Sequence, residues 1–467
     1  MAKRHQIKTI GGLKSSGYRP VSIREEVRRN LITMIKRKKN VFPGIIGYDD
    51  VVVHQVENAI IAGHDIIFLG ERGQAKSRMT RLLVNLLDEK IPIINGCEIN
   101  DNPLAPVCRQ CRDKVTKYGD ATEITWLPRQ ERYGEKLATP DIAIADLIGD
   151  IDPIKVAEGK YLADELTIHY GLIPRTNRGI FCINELPDLA ERLQVGLFNL
   201  MEERDIQIRG YRIRLPLDVF LVATANREDY TNRGRIITPL KDRFGAQIRT
   251  HYPATIEEEI FIMDMEQYQF NKNGFDIYVP QYMKEIIAEV THLARKSSSI
   301  NQSSGVSVRV SIANYETILS NAIRRMVTLG EELAVPRISD LPYIRASTSG
   351  KIELESFEEP DETKVINNLV KTAVLNIFLR YYQLEKLEDI VEQFSDGFNV
   401  EVSDVMSVKP YLHNIKRVTG LADAVRVVDD SERPETIASA IEFVLEGLHL
   451  NRKLNKAEIE GKVAYRH

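Results

Sequence analysis

The stretch GERGQAKS, residues 70–77, constrains the fold more than any other part of the chain. It follows the apolar run DIIFL (65–69), which is typical of a buried strand, and it opens the amphipathic stretch SRMTRLLVNLLDE (77–89), which predicts a helix. A glycine-rich turn between a strand and a helix presents backbone N–H groups to a phosphate, and the helix N-terminus adds its positive potential. Ala75 stands where the last glycine of the phosphate-loop pattern belongs.

The loop residues predict specific contacts with a nucleotide. We expect the backbone N–H groups of Gly73, Gln74, Ala75 and Lys76 to surround the β-phosphate, with the Lys76 ammonium on the β- and γ-phosphate oxygens and the Ser77 hydroxyl on magnesium. Ala75 adds a Cβ that costs about 1 kcal/mol if its φ is positive and little otherwise, so one methyl group does not exclude ATP. The preceding loop residues Gly70, Glu71 and Arg72 complete the predicted binding segment.

The composition limits the kinds of partner and the cellular location that we expect for this protein. The chain has 467 residues, of which 43% are hydrophobic and 28% charged, with a formal net charge of -4, as expected of a soluble globular protein. This balance does not indicate a nucleic-acid partner. The sequence has no apolar run near the ~20 residues that span a bilayer, and its start lacks the apolar core of a signal peptide. We therefore expect a cytoplasmic protein without membrane insertion.

Hydrophobic patterning predicts four segments. Residues 1–40 are basic, with one helix, and residues 41–253 alternate apolar runs with helical stretches, as α/β construction requires. Residues 254–330 have helical periodicity and predict a helical lid domain, and residues 331–467 predict a mostly helical C-terminal extension. Within the α/β segment, the runs DIIFLG, GIFCIN, VFLVATAN and AQIRTHYP predict strands of a parallel sheet with helices on both faces.

Polar residues follow two of these predicted strands. GIFCIN ends in Asn184 and is followed by Glu185, where related hydrolases carry aspartate and then glutamate. Glu185 is suited to orient the attacking water against the γ-phosphate, and Asn184 keeps an oxygen for magnesium but lacks the charge. We therefore predict weakened magnesium dependence and reduced turnover, with a binding-only protein as the alternative. Asn226, at the end of VFLVATAN, can hold the γ-phosphate or the lytic water, or simply cap a turn.

Two arginines are suited to stabilise the negative charge that develops in the transition state of hydrolysis. Arg243 precedes the last predicted strand of the α/β segment, and Arg309 begins a helix of the predicted lid. Alone, each is an ordinary surface charge. Together with the loop and Glu185, they predict a site in which one arginine acts across a subunit boundary.

These motifs resemble an AAA+ ATPase of the MoxR and magnesium-chelatase small-subunit branch, the clade with an insert in helix 2. The resemblance covers about residues 41–330: FPGIIGYDD is similar to the segment against the adenine, GERGQAKS to the branch's own phosphate loop, and the stretch from DLIGDIDPIK to GIFCINELPDL to the insert and the strand after it. In that branch alanine commonly precedes the lysine. The departure is Asn184, where the family has aspartate.

The resemblance implies roles for individual residues. It places Ile46 and Gly47 against the adenine, sensor 1 on Asn226, sensor 2 on Arg309 and the arginine finger on Arg243, with Arg233 and Arg235 as less favoured fingers. It also implies ATP and Mg²⁺ as ligands, a ring that is usually hexameric, and a partner with a von Willebrand factor A domain. The family gives no role to residues 331–467.

Three of the four cysteines lie in one stretch, INGCEINDNPLAPVCRQCRD. Cys97, Cys108 and Cys111 include a C-x-x-C pair of the kind that zinc accepts, but three ligands fall short of a closed structural site. We expect a fourth ligand to come from a histidine or another chain if zinc binds, and reduced thiols otherwise.

The leading interpretation is a ring-forming ATPase that couples Mg-ATP hydrolysis to remodelling of a protein partner, as a MoxR-like chaperone. A magnesium-chelatase motor subunit for tetrapyrrole synthesis shares every motif and stays open. A nucleotide-gated scaffold with little hydrolysis is the third alternative, because Asn184 replaces the aspartate. A sigma-54-type activator is disfavoured, since the sequence contains no GAFTGA-like loop.

Overall fold

A parallel sheet of five strands forms the centre of the first half of the chain. The computed structural model describes residues 6–157, 165–207, 214–226, 235–268, 270, 274–355, 361–459 and 462–467. In these residues the strands are β1 (Ile66–Leu69), β2 (Lys90–Ile94), β3 (Ile124–Pro128), β4 (Tyr133–Leu137), β5 (Gly149–Ile151), β6 (Ile168–Tyr170), β7 (Gly179–Asn184), β8 (Asp205–Gln207), β9 (Arg214–Pro216), β10 (Val219–Ala225), β11 (Ala246–Arg249), β12 (Val400–Val402), β13 (Asn455–Ile459) and β14 (Lys462–Arg466).

Helices surround this sheet and make up most of the second half of the chain. They are α1 (Ile10–Ser15), α2 (Ile23–Lys36), α3 (Val52–Ala62), α4 (Lys76–Leu82), α5 (Arg109–Tyr118), α6 (Ile144–Leu147), α7 (Pro153–Ala157), α8 (Leu172–Arg175), α9 (Glu191–Glu202), α10 (Thr238–Arg243), α11 (Ile256–Glu266), α12 (Gln281–Lys296), α13 (Arg309–Leu329), α14 (Ile344–Thr348), α15 (Glu362–Tyr381), α16 (Glu388–Ser395), α17 (Val408–Arg417), α18 (Leu421–Val428) and α19 (Pro434–Leu450).

The strand order of the central sheet is β11-β1-β10-β7-β4, and every neighbouring pair is parallel. The α/β fold class is thereby confirmed, and all four strands predicted from apolar runs lie in this sheet. The carboxyl ends of three adjacent strands meet at one edge, because Leu69 pairs with Ala225 and Ala223 pairs with Ile183. That edge is where α/β proteins of this kind bind ligands.

Apolar side chains cover both faces of the sheet. Along β7 and β10 the fully buried residues alternate between two cores, with Phe181 in one core and Ile180 and Phe220 in the other. This is the period-two alternation of a strand that is buried on both sides. Helices α2, α3 and α4 supply one core, and α9 supplies the other.

The chain divides into two compact units, residues 1–251 and 252–467. In the second unit, α11 to α19 and the antiparallel sheet β12-β14-β13 share one core, which extends from Ile256 to Tyr465. Helix α19 lies at its centre, since most of its side chains are buried. The predicted lid (254–330) and extension (331–467) both contribute to this core, and their boundaries stay predictions.

Parts of the sequence-based interpretation lie outside the described residues. Arg233, one of the less favoured candidates for the arginine finger, is among them. In the part of the chain that the structure describes, no helix combines the length and the apolar character needed to cross a bilayer.

Candidate nucleotide site

The phosphate loop joins β1 to α4, as predicted. Gly70 is required there by close packing, because a Cβ at this position would lie 2.0 Å from Thr250 Oγ1 and 2.2 Å from Gln74 Oε1. Gly73 has a φ of 76° and Ala75 a φ of 53°, both in the left-handed region. Ala75 is thus in the conformation for which a Cβ costs about 1 kcal/mol.

The Gln74 side chain within the loop and two side chains from outside it, those of Thr250 and Tyr48, hold this loop in shape. Gln74 Oε1 accepts hydrogen bonds from the Glu71 N–H at 2.9 Å and from the Thr250 hydroxyl at 2.7 Å. The Tyr48 hydroxyl lies 2.8 Å from the carbonyl oxygens of both Gln74 and His251. Tyr48 follows Ile46 and Gly47 in the chain, so the predicted adenine-side segment is tied directly to the phosphate loop.

Lys76 and Asn226 are brought into contact. Lys76 is buried, and its Nζ donates to the carbonyl oxygens of Gly70 and Glu71 and to Asn226 Oδ1, each at 2.7 Å. An ammonium has three protons to donate, and these three acceptors match them. A bound phosphate would therefore have to replace one of these three acceptors of the Lys76 ammonium.

The end of β7 carries the two polar residues predicted from the sequence. Asn184 is buried, and its Oδ1 accepts from the Thr224 hydroxyl at 3.2 Å and from the Cys182 thiol at 3.5 Å. Glu185 is half-buried and has a φ of 55°, and its N–H donates to Thr224 Oγ1 at 3.1 Å. A non-glycine residue in this region stores on the order of 1 kcal/mol of strain, and such strain is common at functional sites.

Glu135 on β4 is a site residue that the sequence did not reveal. Its Oε1 accepts from Asn184 Nδ2 at 2.6 Å, and Arg81 of α4 donates to both of its oxygens at 2.9 Å. These hydrogen bonds from Arg81 lower the pKa of Glu135, so it is a carboxylate at neutral pH. A negative charge therefore lies beside Asn184, where the missing aspartate would have supplied one. Ser77 is one turn before Arg81 on α4, so the two side chains share a helix face.

The predicted arginines occupy different places. In this chain Arg243 donates to Glu202 Oε2 at 2.5 and 3.1 Å and to the Pro239 carbonyl oxygen at 2.9 Å, and it lies over the Phe198 ring. Its contacts within one chain are thus with α9 and α10. Arg309 is exposed at the start of α13, in the second unit. The roles of both arginines stay predictions, as do those of Arg72 and Arg235, which are exposed.

Comparison with known proteins identifies relatives for about half of the chain. No protein-family model matches it. The magnesium-chelatase subunit ChlI homolog of Methanocaldococcus jannaschii is 28% identical over 243 residues, which are 51% of this chain and 61% of that protein. The magnesium-chelatase subunit ChlI of Nostoc sp. is 28% identical over 273 residues, or 56% of this chain and 67% of that protein.

The chain is therefore similar in sequence to AAA+ proteins of the magnesium-chelatase subunit I branch. The resemblance drawn from its motifs is thereby confirmed. The chain spans about three fifths to two thirds of the length of these relatives. Among solved structures, a chain of the complex between the magnesium-chelatase subunits BchI and BchD is similar over 70% of this chain and 98% of its own length, with 18% identity and a TM-score of 0.36. A likeness of that size carries no weight for function.

Proposed function

We propose that the chain is a ring-forming ATPase that couples the binding and hydrolysis of Mg-ATP to remodelling of a protein partner. The observation that carries this proposal is the hydrogen bond between Lys76 Nζ and Asn226 Oδ1. It joins the phosphate loop to the end of β10, at the sheet edge where β7 presents Glu185. Phosphoryl transfer to water requires a lysine that contacts the phosphates, an amide that positions the water or the γ-phosphate, and a carboxylate that orients the water. Lys76, Asn226 and Glu185 supply these three groups.

Each side chain then has a defined part in hydrolysis. Lys76 neutralises the β- and γ-phosphate oxygens, Glu185 orients the attacking water, and Asn226 holds that water or the γ-phosphate in position. Arg243 enters the site of a neighbouring copy, where its guanidinium stabilises the charge on the transferred phosphoryl group. Arg309 is proposed to take the sensor 2 role that the resemblance implies.

The oxygen donors beside the loop fit magnesium. Mg²⁺ prefers oxygen ligands, which the Ser77 hydroxyl and Asn184 Oδ1 supply, and the Glu135 carboxylate beside them adds a negative charge. When bound, the ion would offset the negative charge of the phosphate groups. Because Asn184 is neutral, we expect a weaker requirement for magnesium and slower turnover than with an aspartate.

The partner is proposed to carry a von Willebrand factor A domain, as the family resemblance implies, and the ring to be hexameric. A motor subunit of magnesium chelatase is an equally supported alternative, since the relatives bear that name. Co-isolation of a large porphyrin-binding subunit would favour the chelatase. A nucleotide-gated scaffold is the second alternative, and Asn184 is the residue that favours it.

Steady-state ATP hydrolysis tests the proposal. The full-length protein should release phosphate, whereas Lys76→Ala should bind no ATP and Glu185→Gln should bind ATP but release little phosphate. Lys117→Ala, at an exposed lysine of α5, is the matched control and should behave as the unaltered protein. Glu185→Gln with the unaltered rate would contradict the proposed role of Glu185, and background phosphate release by the unaltered protein at ring-forming concentrations would favour the scaffold.

A further inference from the structure

Three cysteines and one aspartate converge outside the nucleotide site. One ligand atom from each of Cys97, Asp101, Cys108 and Cys111 lies within 4.8 Å of the other three. Asp101, Cys108 and Cys111 are buried, and Cys97 is half-buried. We propose that these four side chains bind one zinc ion. In this proposal Asp101 is the fourth ligand, in place of the histidine or the residue from another chain that the sequence led us to expect.

The carboxylate of Asp101 is fixed in position in the way expected of a metal ligand. It has no exposed surface, and its Oδ2 accepts from the N–H groups of Val107 at 3.1 Å and Cys108 at 2.9 Å. Its Oδ1 is buried and accepts no hydrogen bond from the described residues. A buried oxygen that lacks a partner costs about 1–3 kcal/mol. Coordination to a metal ion would satisfy it, while the two N–H bonds keep the carboxylate in orientation.

Backbone N–H groups and a helix N-terminus face the sulfurs of the cluster. The Asp101 N–H donates to Cys97 Sγ at 3.3 Å, and the Cys111 N–H donates to Cys108 Sγ at 3.4 Å. Cys108 is the N-cap of α5, so the positive end of a ten-residue helix faces the cluster. Hydrogen bonds to sulfur and a helix N-terminus both stabilise the charged form that binds metal.

The separations suit a small tetrahedral centre after modest contraction. Zinc–sulfur bonds of about 2.3 Å put two sulfurs of a tetrahedral site about 3.8 Å apart. No two of these sulfurs are more than 4.8 Å apart, so each pair would close by at most about 1 Å. Three thiolates and a carboxylate this close together would repel one another strongly, and a dication at their centre would offset that repulsion.

The ion would have a structural role. Four protein ligands fill a tetrahedral zinc site and leave no position for a substrate. Cys108 and Cys111 belong to the same core as Phe181 of β7, so the ion would fasten segment 97–111 onto one face of the central sheet. This inference concerns the first unit alone and does not depend on ATP hydrolysis.

Metal analysis of the full-length protein tests the inference. Protein purified under reducing conditions and dialysed against zinc should retain about one zinc ion per chain, as a structural site does. Cys108→Ser should lose the ion, and Asp101→Asn should bind it more weakly in a competition with a chromophoric chelator. Glu98→Gln is the matched control, because this exposed carboxylate lies next to Cys97 in the chain but outside the cluster.

A second measurement needs no variant. Cobalt added to the metal-free, reduced protein should give thiolate-to-cobalt charge transfer and the intense visible bands of a tetrahedral centre. Reduced protein with four titratable thiols that takes up neither zinc nor cobalt would overturn the proposal. Full retention of zinc by Cys108→Ser, or equal loss of zinc from Glu98→Gln and Asp101→Asn, would overturn it as well.

Discussion

Replacing Asn184 with aspartate would restore the residue that the family carries, yet we predict that it destabilises the nucleotide-free protein. Asn184 Nδ2 donates to Glu135 Oε1 at 2.6 Å, so the substitution would turn a hydrogen bond into two facing carboxylates. Two unit charges about 4 Å apart interact by about 4 kcal/mol at an effective dielectric constant near 20. The bidentate contact of Arg81 with Glu135 and the partial exposure of Glu135 reduce this repulsion. We expect a loss of about 2 kcal/mol in the free energy of unfolding.

Urea unfolding followed by tryptophan fluorescence measures this loss. The chain has one tryptophan, Trp126 on β3, so the signal reports on the first unit. Asn184→Asp, Glu135→Gln and the double variant form a cycle that isolates the interaction of the two side chains. We expect a coupling of about 2 kcal/mol, because a glutamine at 135 can donate to the new carboxylate. Mg-ATP should recover the stability of Asn184→Asp and raise its turnover, since the cation relieves the repulsion.

Two results with Asn184→Asp would contradict this prediction. If Asn184→Asp unfolds at the same urea concentration as the unaltered protein and the cycle shows no coupling, the two side chains do not face each other. If turnover of Asn184→Asp is unchanged at every magnesium concentration, position 184 does not serve the ion.

Three further predictions concern the loop and the arginine. Lys76→Ala should abolish ATP binding in calorimetry, whereas Lys117→Ala should bind normally; retained affinity in Lys76→Ala would contradict the assignment. Ala75→Gly should shift the free energy of unfolding by less than about 0.5 kcal/mol, because relief of strain at positive φ and the greater freedom of the unfolded chain oppose each other; a loss above 2 kcal/mol in urea unfolding would show that the methyl group packs. Arg243→Ala should lower turnover about 1000-fold while costing less than about 1 kcal/mol of stability, and Glu202→Gln should leave turnover intact; equal losses of turnover in both would indicate a structural role for their ion pair.

The sheet could be predicted where its strands are buried on both faces. GIFCIN and VFLVATAN are central strands, and burial on both sides makes them continuously apolar. Strand β4 was missed because it lies at the sheet edge and its sequence, YGEKL, is half-buried and mostly polar. The hairpin partners β2 and β3 were also missed, since their isoleucines gave no regular alternation that stood out from the surrounding turns.

The candidate site could be predicted where its residues form a local pattern. The residues of the phosphate loop have a fixed spacing after one strand, and Glu185 directly follows another strand, so the sequence alone predicts both. Tyr48, Thr250 and Glu135 could not be found this way, because each reaches the site from a different element and is common in surface positions. Asp101 likewise gave no signal, since one aspartate near three cysteines has no distinctive spacing.

Mixing two inactive variants tests the central claim most directly. Lys76→Ala chains lack a working phosphate loop but keep Arg243, and Arg243→Ala chains keep the loop but lack the finger. If a neighbouring copy completes each site, an equal mixture should recover about one quarter of the unaltered ATP hydrolysis rate, because that fraction of random interfaces pairs an intact loop with an intact arginine. A mixture that stays as inactive as its components, or full activity of Arg243→Ala alone, would contradict the account.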